Sequence, residues 1–241
     1  MSPSPPRARR RVVAATVALV AAGVVLASAR QTPRPAPDDP RLRPTSTVAA
    51  RKGEPVPVTG RADSFDRPDD PHSLGAMPDG GPAWRAGAGT WGVMGGEALV
   101  SRPTRVPAVA VVDRGFTGGA VQVRASRVVA GSGLAFAYRG PGQYWAVVAV
   151  PAYATWNVVR VREGRQETVA NTGLSPVADG TTVAVRTAGR TVDVVLDGRV
   201  ATTLDDTTFQ DTPLAGMTAA GPEPSRARFD DFRVAPPGGP G

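Results

Sequence analysis

The chain of 241 residues carries 28 Lys+Arg against 21 Asp+Glu, one His and no Cys. The missing thiol excludes a disulfide framework, a thiolate metal site, a Cys nucleophile and a lipobox-type lipid anchor. The net charge of +7 invites a nucleic-acid reading, but residues 1–60 hold ten Lys+Arg against three acids, which leaves 18 of each sign in residues 61–241; the folded part is neutral and no nucleic-acid partner is expected.

Arg7, Arg9, Arg10 and Arg11 precede residues 12–29, a run of 18 residues without a charge. A helix of that length spans about 27 Å, just short of a bilayer core of about 30 Å. Ala27-Ser28-Ala29 is an A-x-A cleavage sequence, while the run is longer than the usual apolar stretch of a signal peptide. Residues 1–29 are therefore read as a signal peptide or a signal anchor, both outcomes open. The positive flank stays cytoplasmic, so the rest of the chain is expected outside the cytoplasm. It is expected as a single-pass membrane protein held by its N-terminal helix if uncleaved, or as a secreted one if cleaved.

Residues 30–60 contain seven prolines and no aromatic residue, the composition of an extended, partly polyproline-II linker. All thirteen aromatic residues fall between Phe65 and Phe232, which marks 61–235 as the domain. Residues 236–241 read as a disordered tail.

Within the domain the hydrophobic period is two and turn residues interrupt it about every 8 to 12 residues, the pattern of a many-stranded antiparallel protein. Residues 91–100 read as a hairpin around Gly95-Gly96. Residues 191–200 read as another around Asp197-Gly198, a dipeptide suited to the positive φ of a tight turn. Further strands are expected at 106–113, 120–128, 133–139, 143–150, 154–162, 181–187, 213–219 and 227–235. Val121, Val123 and Ala125 share one face and Gln122, Arg124 and Ser126 the other, as a sheet with one wet side requires. Residues 145–150 are apolar on both sides, which suits a central strand covered on both faces. The count and the mixed burial imply an all-β fold of two stacked antiparallel sheets.

Asp63-Ser-Phe-Asp-Arg67, Trp84 and Gly89-Thr-Trp-Gly-Val-Met-Gly-Gly-Glu-Ala-Leu99 resemble the opening of bacterial laminin-G-like, concanavalin A-like jelly-roll domains. Gly133-Leu-Ala-Phe-Ala-Tyr-Arg139, Gln143-Tyr-Trp145, the Asp197-Gly198 turn and Phe229-Asp-Asp-Phe-Arg-Val234 follow in that family's order, so the resemblance spans residues 62–235. It implies a jelly-roll sandwich whose first and last strands lie side by side, bringing Asp63 and Phe65 near Phe232 and Val234. It also implies a concave sheet that binds ligand and, in some members, a structural Ca²⁺.

For that ion the hard oxygen ligands are Asp63 and Asp66, with Asp69 and Asp70 nearby, and Asp230 and Asp231 on the neighbouring strand. The glucanases of similar fold carry Glu-x-Asp on one strand, where alternate residues share a face. None of the five glutamates, at 54, 97, 163, 167 and 223, is followed two places on by Asp, so glycoside hydrolysis is disfavoured. His72, the single histidine, is read as a solvated loop residue rather than one member of a triad.

The remaining candidates are the polar and aromatic side chains crowded into the middle of the domain: Tyr138, Arg139, Tyr144, Trp156, Asn157 and Arg160. Alternation places Trp156 with Val158, Arg160 and Arg162 on a face read as largely polar, where an exposed ring could stack on a sugar. The expected function is a non-catalytic surface module for carbohydrate or another cell-envelope ligand. A structural domain contacting an envelope protein, and a sugar-cleaving enzyme of similar fold, are the alternatives.

Overall fold

A computed structural model describes residues 60–238 apart from 79 and 207. The leader at 1–29 and nearly all of the linker expected at 30–60 lie outside the described residues, as does the end of the tail. Among the described residues no helix is long and apolar enough to cross a membrane.

Fifteen strands follow one another: β1 Arg61–Asp63, β2 Arg85–Ala88, β3 Thr90–Met94, β4 Glu97–Arg102, β5 Ala108–Asp113, β6 Gly119–Arg127, β7 Gly133–Gly140 and β8 Gln143–Val150. The second half contains β9 Thr155–Arg162, β10 Arg165–Asn171, β11 Thr181–Ala188, β12 Thr191–Leu196, β13 Arg199–Asp205, β14 Leu214–Ala219 and β15 Arg228–Ala235. They form two antiparallel sheets. The first has the order β13-β12-β11-β6-β15-β4-β3 with β1 paired to β15, and the second the order β10-β9-β8-β7-β14-β5-β2. The expected strands are all present; β2 and β10 are additional, because Arg-Ala-Gly-Ala and Arg-Gln-Glu-Thr-Val-Ala-Asn carry no apolar alternation.

Both expected hairpin turns have positive φ at their two central residues, 61° and 76° at Gly95-Gly96 and 47° and 78° at Asp197-Gly198. That geometry matches the twist of the flanking strands and is open to glycine and tolerated by Asp. The expected closure also forms: Arg61 pairs with Val234 and Asp63 with Phe232.

The two sheets bury their facing sides against each other. Val121, Val123, Ala125, Val183, Val185, Val192 and Val194 come from the first sheet, and Leu134, Phe136, Trp145, Val147, Trp156, Val158 and Met217 from the second. Phe65, Trp84 and Phe232 pack in a row, with centroids 5.7 Å and 4.8 Å apart, offset and edge-on as ring quadrupoles favour.

Strict alternation would send Phe229 and Phe232 to opposite faces, yet both are fully buried. The reason is a bulge: Asp230 pairs with Arg124 and Arg233 with Gln122, so two residues of β15 oppose one of β6. Asp231 absorbs the extra residue at φ 48°, a left-handed conformation that Asp adopts more readily than most side chains. A second irregularity, at Ala137 with φ 48°, lies where β7 shifts register against β8 between Phe136 and Gly140. It turns Ala137 inward and sends Tyr138 to the outer face.

Candidate functional site

Because β5, β7, β8, β9 and β14 alternate with period two, the side chains that do not enter the core share the outer face of the second sheet. That face has an apolar centre formed by Val109, Val111, Ala135, Ala146, Val159 and Val161 together with Tyr138 and Tyr144. Residues 145–150, expected between two covering layers, thus present Trp145, Val147 and Ala149 to the other sheet. Their neighbours Ala146 and Val148 floor a groove on the outer side.

The groove encloses about 330 Å³. Tyr144, Ala146, Val148 and Val150 of β8 run along it. Asn157 and Val159 of β9, Gln166 of β10 and Thr218 of β14 flank it, and Pro107, Ala130, Gly131, Ala220 and Gly221 close one end. Small side chains at the floor leave the depth, and the amides of Asn157 and Gln166 with the hydroxyls of Thr218 and Tyr144 supply both donors and acceptors. No Asp or Glu is among the described residues lining it.

Of the sequence-derived candidates, the structure brings Tyr144 and Asn157 together in this groove. Tyr138 lies beside Tyr144, ring centroids 5.7 Å apart. It reaches across the face until its hydroxyl sits over Gly87, where a Cβ would come within 2.1 Å of it. That hydroxyl is buried and has no hydrogen-bond partner among the described residues. Desolvation pushes the Tyr144 hydroxyl up to about 12, helped by Tyr138, and raises that of Tyr138 as well.

The other three candidates are elsewhere. Trp156 is 0% exposed and belongs to the core between the sheets, its Nε1–H donating to Pro176 O at 3.1 Å. Trp156, Val158 and Arg160 do share a face, but it is the buried one. Arg160 reaches the sandwich margin, where its guanidinium lies 5.4 Å from the Trp145 ring and pairs with Asp206 and Glu167, each at 2.9 Å. An arginine four residues beyond a tryptophan therefore marked the end of the core, not a wet surface. Arg139 is exposed at the end of β7, packed 5.3 Å over Phe209 and paired at 2.5 Å with Asp211. Hydrogen bonding from that guanidinium holds the Asp211 carboxyl below its ordinary range.

The structure places three of the acids expected to hold Ca²⁺, Asp63, Asp230 and Asp231, in contacts of their own. Asp63 is buried, and its oxygens accept from the Phe65 N–H at 2.9 Å and the Trp84 Nε1–H at 2.8 Å while pairing with Arg67. Arg67 in turn donates to Leu74 O and Ala76 O, at 2.7 Å and 2.6 Å. Asp63 is thus a structural node that ties the opening of the domain to Trp84. Asp66 is exposed, Asp230 faces Arg124 at 3.9 Å and Asp231 faces Arg233 at 3.6 Å. Among the described residues no three His, Cys, Asp or Glu side chains converge as metal ligands. His72 is exposed, its backbone N–H donating to Asp70 at 2.8 Å.

Sequence reasoning missed Ala146, Val148, Val159, Gln166 and Thr218. The signal was present in β8, whose apolar residues on both faces needed an explanation. It was absent in β10, a polar strand at a sheet edge.

No protein-family model matches the sequence, and comparison with curated proteins returns no match; the laminin-G-like assignment thus rests on the motifs alone. Solved structures do resemble the fold. The carbohydrate-binding module CBM66 from Bacillus subtilis aligns with a TM-score of 0.53 at 11% identity, over 63% of this chain and 95% of the module. SCLam, a non-specific endo-β-1,3(4)-glucanase of family GH16, aligns with a TM-score of 0.48 at 16% identity, over 77% of this chain and 95% of that one. The GH43 protein BlXynB from Bacillus licheniformis gives 0.48 at 14% identity, over 73% of this chain and 39% of its own. At 11% identity the likeness to the module is one of fold alone, a sandwich of two antiparallel sheets consistent with a jelly roll.

Proposed function

We propose that the chain is a non-catalytic glycan-binding module displayed outside the cytoplasm, with its site in the outer groove of the second sheet. The observation that carries this reading is the groove's lining: an apolar floor flanked by Asn157, Gln166 and Thr218, with no carboxylate among the described residues. A pyranose offers an apolar C–H face and a rim of hydroxyls, so it matches a floor of Ala and Val edged by amides. The volume of about 330 Å³ is at the small end of ligand pockets, enough for a short stretch of a glycan chain. Hydrolysis needs two carboxyl groups about 5 to 9.5 Å apart across the scissile bond, and this lining supplies neither. The similarity in fold to a carbohydrate-binding module supports the same reading by analogy. The Arg cluster before residues 12–29 supports the location.

A glycan array probed with the purified chain tests it. Binding in the micromolar to millimolar range is expected, and Ala146→Trp, which fills the floor, is expected to abolish it while leaving the far-UV spectrum unchanged. An array with no signal above background, or release of products from an oligosaccharide library, would overturn the proposal.

A further inference from the structure

The groove does not end at Ala220 and Gly221. Those two residues also line a second hollow of about 50 Å³, walled by the 103–106 loop and Pro224. The one charged side chain among the described residues lining either hollow is Arg105. It is exposed and, like several other arginines of the domain, makes no ion pair among the described residues. Among the described residues the linings of the two hollows thus hold no acid and one cation.

We propose that the ligand is an anionic glycan whose acidic substituent sits in the second hollow against Arg105. This rests on the glycan reading above and adds the charge of the ligand. A space of about 50 Å³ takes one carboxylate-sized group, since a water's share of the liquid is about 30 Å³. A guanidinium meets a carboxylate, sulfate or phosphate with two parallel hydrogen bonds, which makes it selective for planar or tetrahedral oxyanions over hydroxyls.

The test titrates the full chain at constant ionic strength with an oligogalacturonate and with its methyl ester, which has the same shape and no charge. Dextran sulfate beside dextran, and poly(glycerol phosphate), tell a sulfate or phosphate source from a carboxylate. Arginines of the N-terminal sixty residues attract any polyanion, so the decisive comparison is between the native chain and Arg105→Gln, which share them. At least one acidic probe is expected to bind about ten-fold more tightly than its neutral counterpart, the effect of a charge-assisted hydrogen bond. Arg105→Gln is expected to erase that preference and leave binding of the neutral form unchanged, and Arg105→Lys to retain part of it. If acidic and neutral probes bind alike, or if Arg105→Gln keeps the preference, the charge assignment falls while the glycan reading stands. If no probe binds and the array is blank, both fall.

Discussion

Replacing Asp63 by Ala removes the acceptor at the centre of the domain's closing contact. The Trp84 Nε1–H and the Phe65 N–H, now bonded to it at 2.8 Å and 2.9 Å, would be left in an interior that excludes water. A buried donor without a partner costs about 1 to 3 kcal/mol. Arg67 loses its counter-charge, but its side chain is 22% exposed and keeps its bonds to Leu74 O and Ala76 O, so its share is small. The total is about 3 to 5 kcal/mol, the range for breaking a buried ion pair from one side. At about 2 to 4 °C per kcal/mol for a domain of this size, thermal unfolding followed by far-UV circular dichroism should drop by about 6 to 20 °C. Arg67→Ala combined with Asp63→Ala should cost less than the two single changes added, because they remove one interaction twice. A drop below about 3 °C for Asp63→Ala, under the cost of one unpaired buried donor, would mean that Asp63 is not the node described.

Tyr144 makes the fold sensitive to alkali. Its hydroxyl is held at about 12 in the fold against about 10 in an unfolded chain. Between these values the unfolded chain has released its proton and the native state has not. Stability therefore falls as pH rises through that window, by up to about 2 to 3 kcal/mol; urea unfolding should show a shallower loss in Tyr144→Phe, and an identical slope would contradict the assignment. Trp156→Ala should cost about 3 to 5 kcal/mol by leaving a cavity between the sheets without changing glycan affinity of the folded fraction. Lost affinity at unchanged urea midpoint would return Trp156 to the binding surface. Asp231→Gly should hold stability within about 1 kcal/mol, whereas Asp231→Val should lower it by about 1 to 3 kcal/mol through strain at positive φ, read as a shift in urea midpoint.

The two-residue rhythm made the sheets legible because a half-buried strand writes its two environments into alternate residues. That is why β6, with Val121 and Val123 inside and Gln122 and Arg124 outside, was readable from sequence. Rhythm gives the partition into two faces, not which face is buried. Trp156, Val158 and Arg160 were correctly grouped and assigned to the wrong side, because Arg160 and Arg162 toward the sandwich margin outweighed the apolar Trp156 and Val158. Bulges were hidden for a related reason: nothing in Phe229-Asp-Asp-Phe232 announces that Asp231 takes a left-handed φ and returns Phe232 to the core. The groove was half visible. Tyr144 and Asn157 were singled out for their chemistry, but the floor of Ala146, Val148 and Val159 looks in sequence like ordinary core, since a concave surface formed by small residues has no composition of its own.

The most direct test of the glycan site is a chemical-shift titration of the isotope-labelled chain with the best glycan from the array. Shifts are predicted at Tyr144, Asn157, Gln166 and Thr218, on strands β8, β9, β10 and β14. Shifts confined to the outer face of the first sheet, around Gln122, Arg124 and Asp193, would contradict the account.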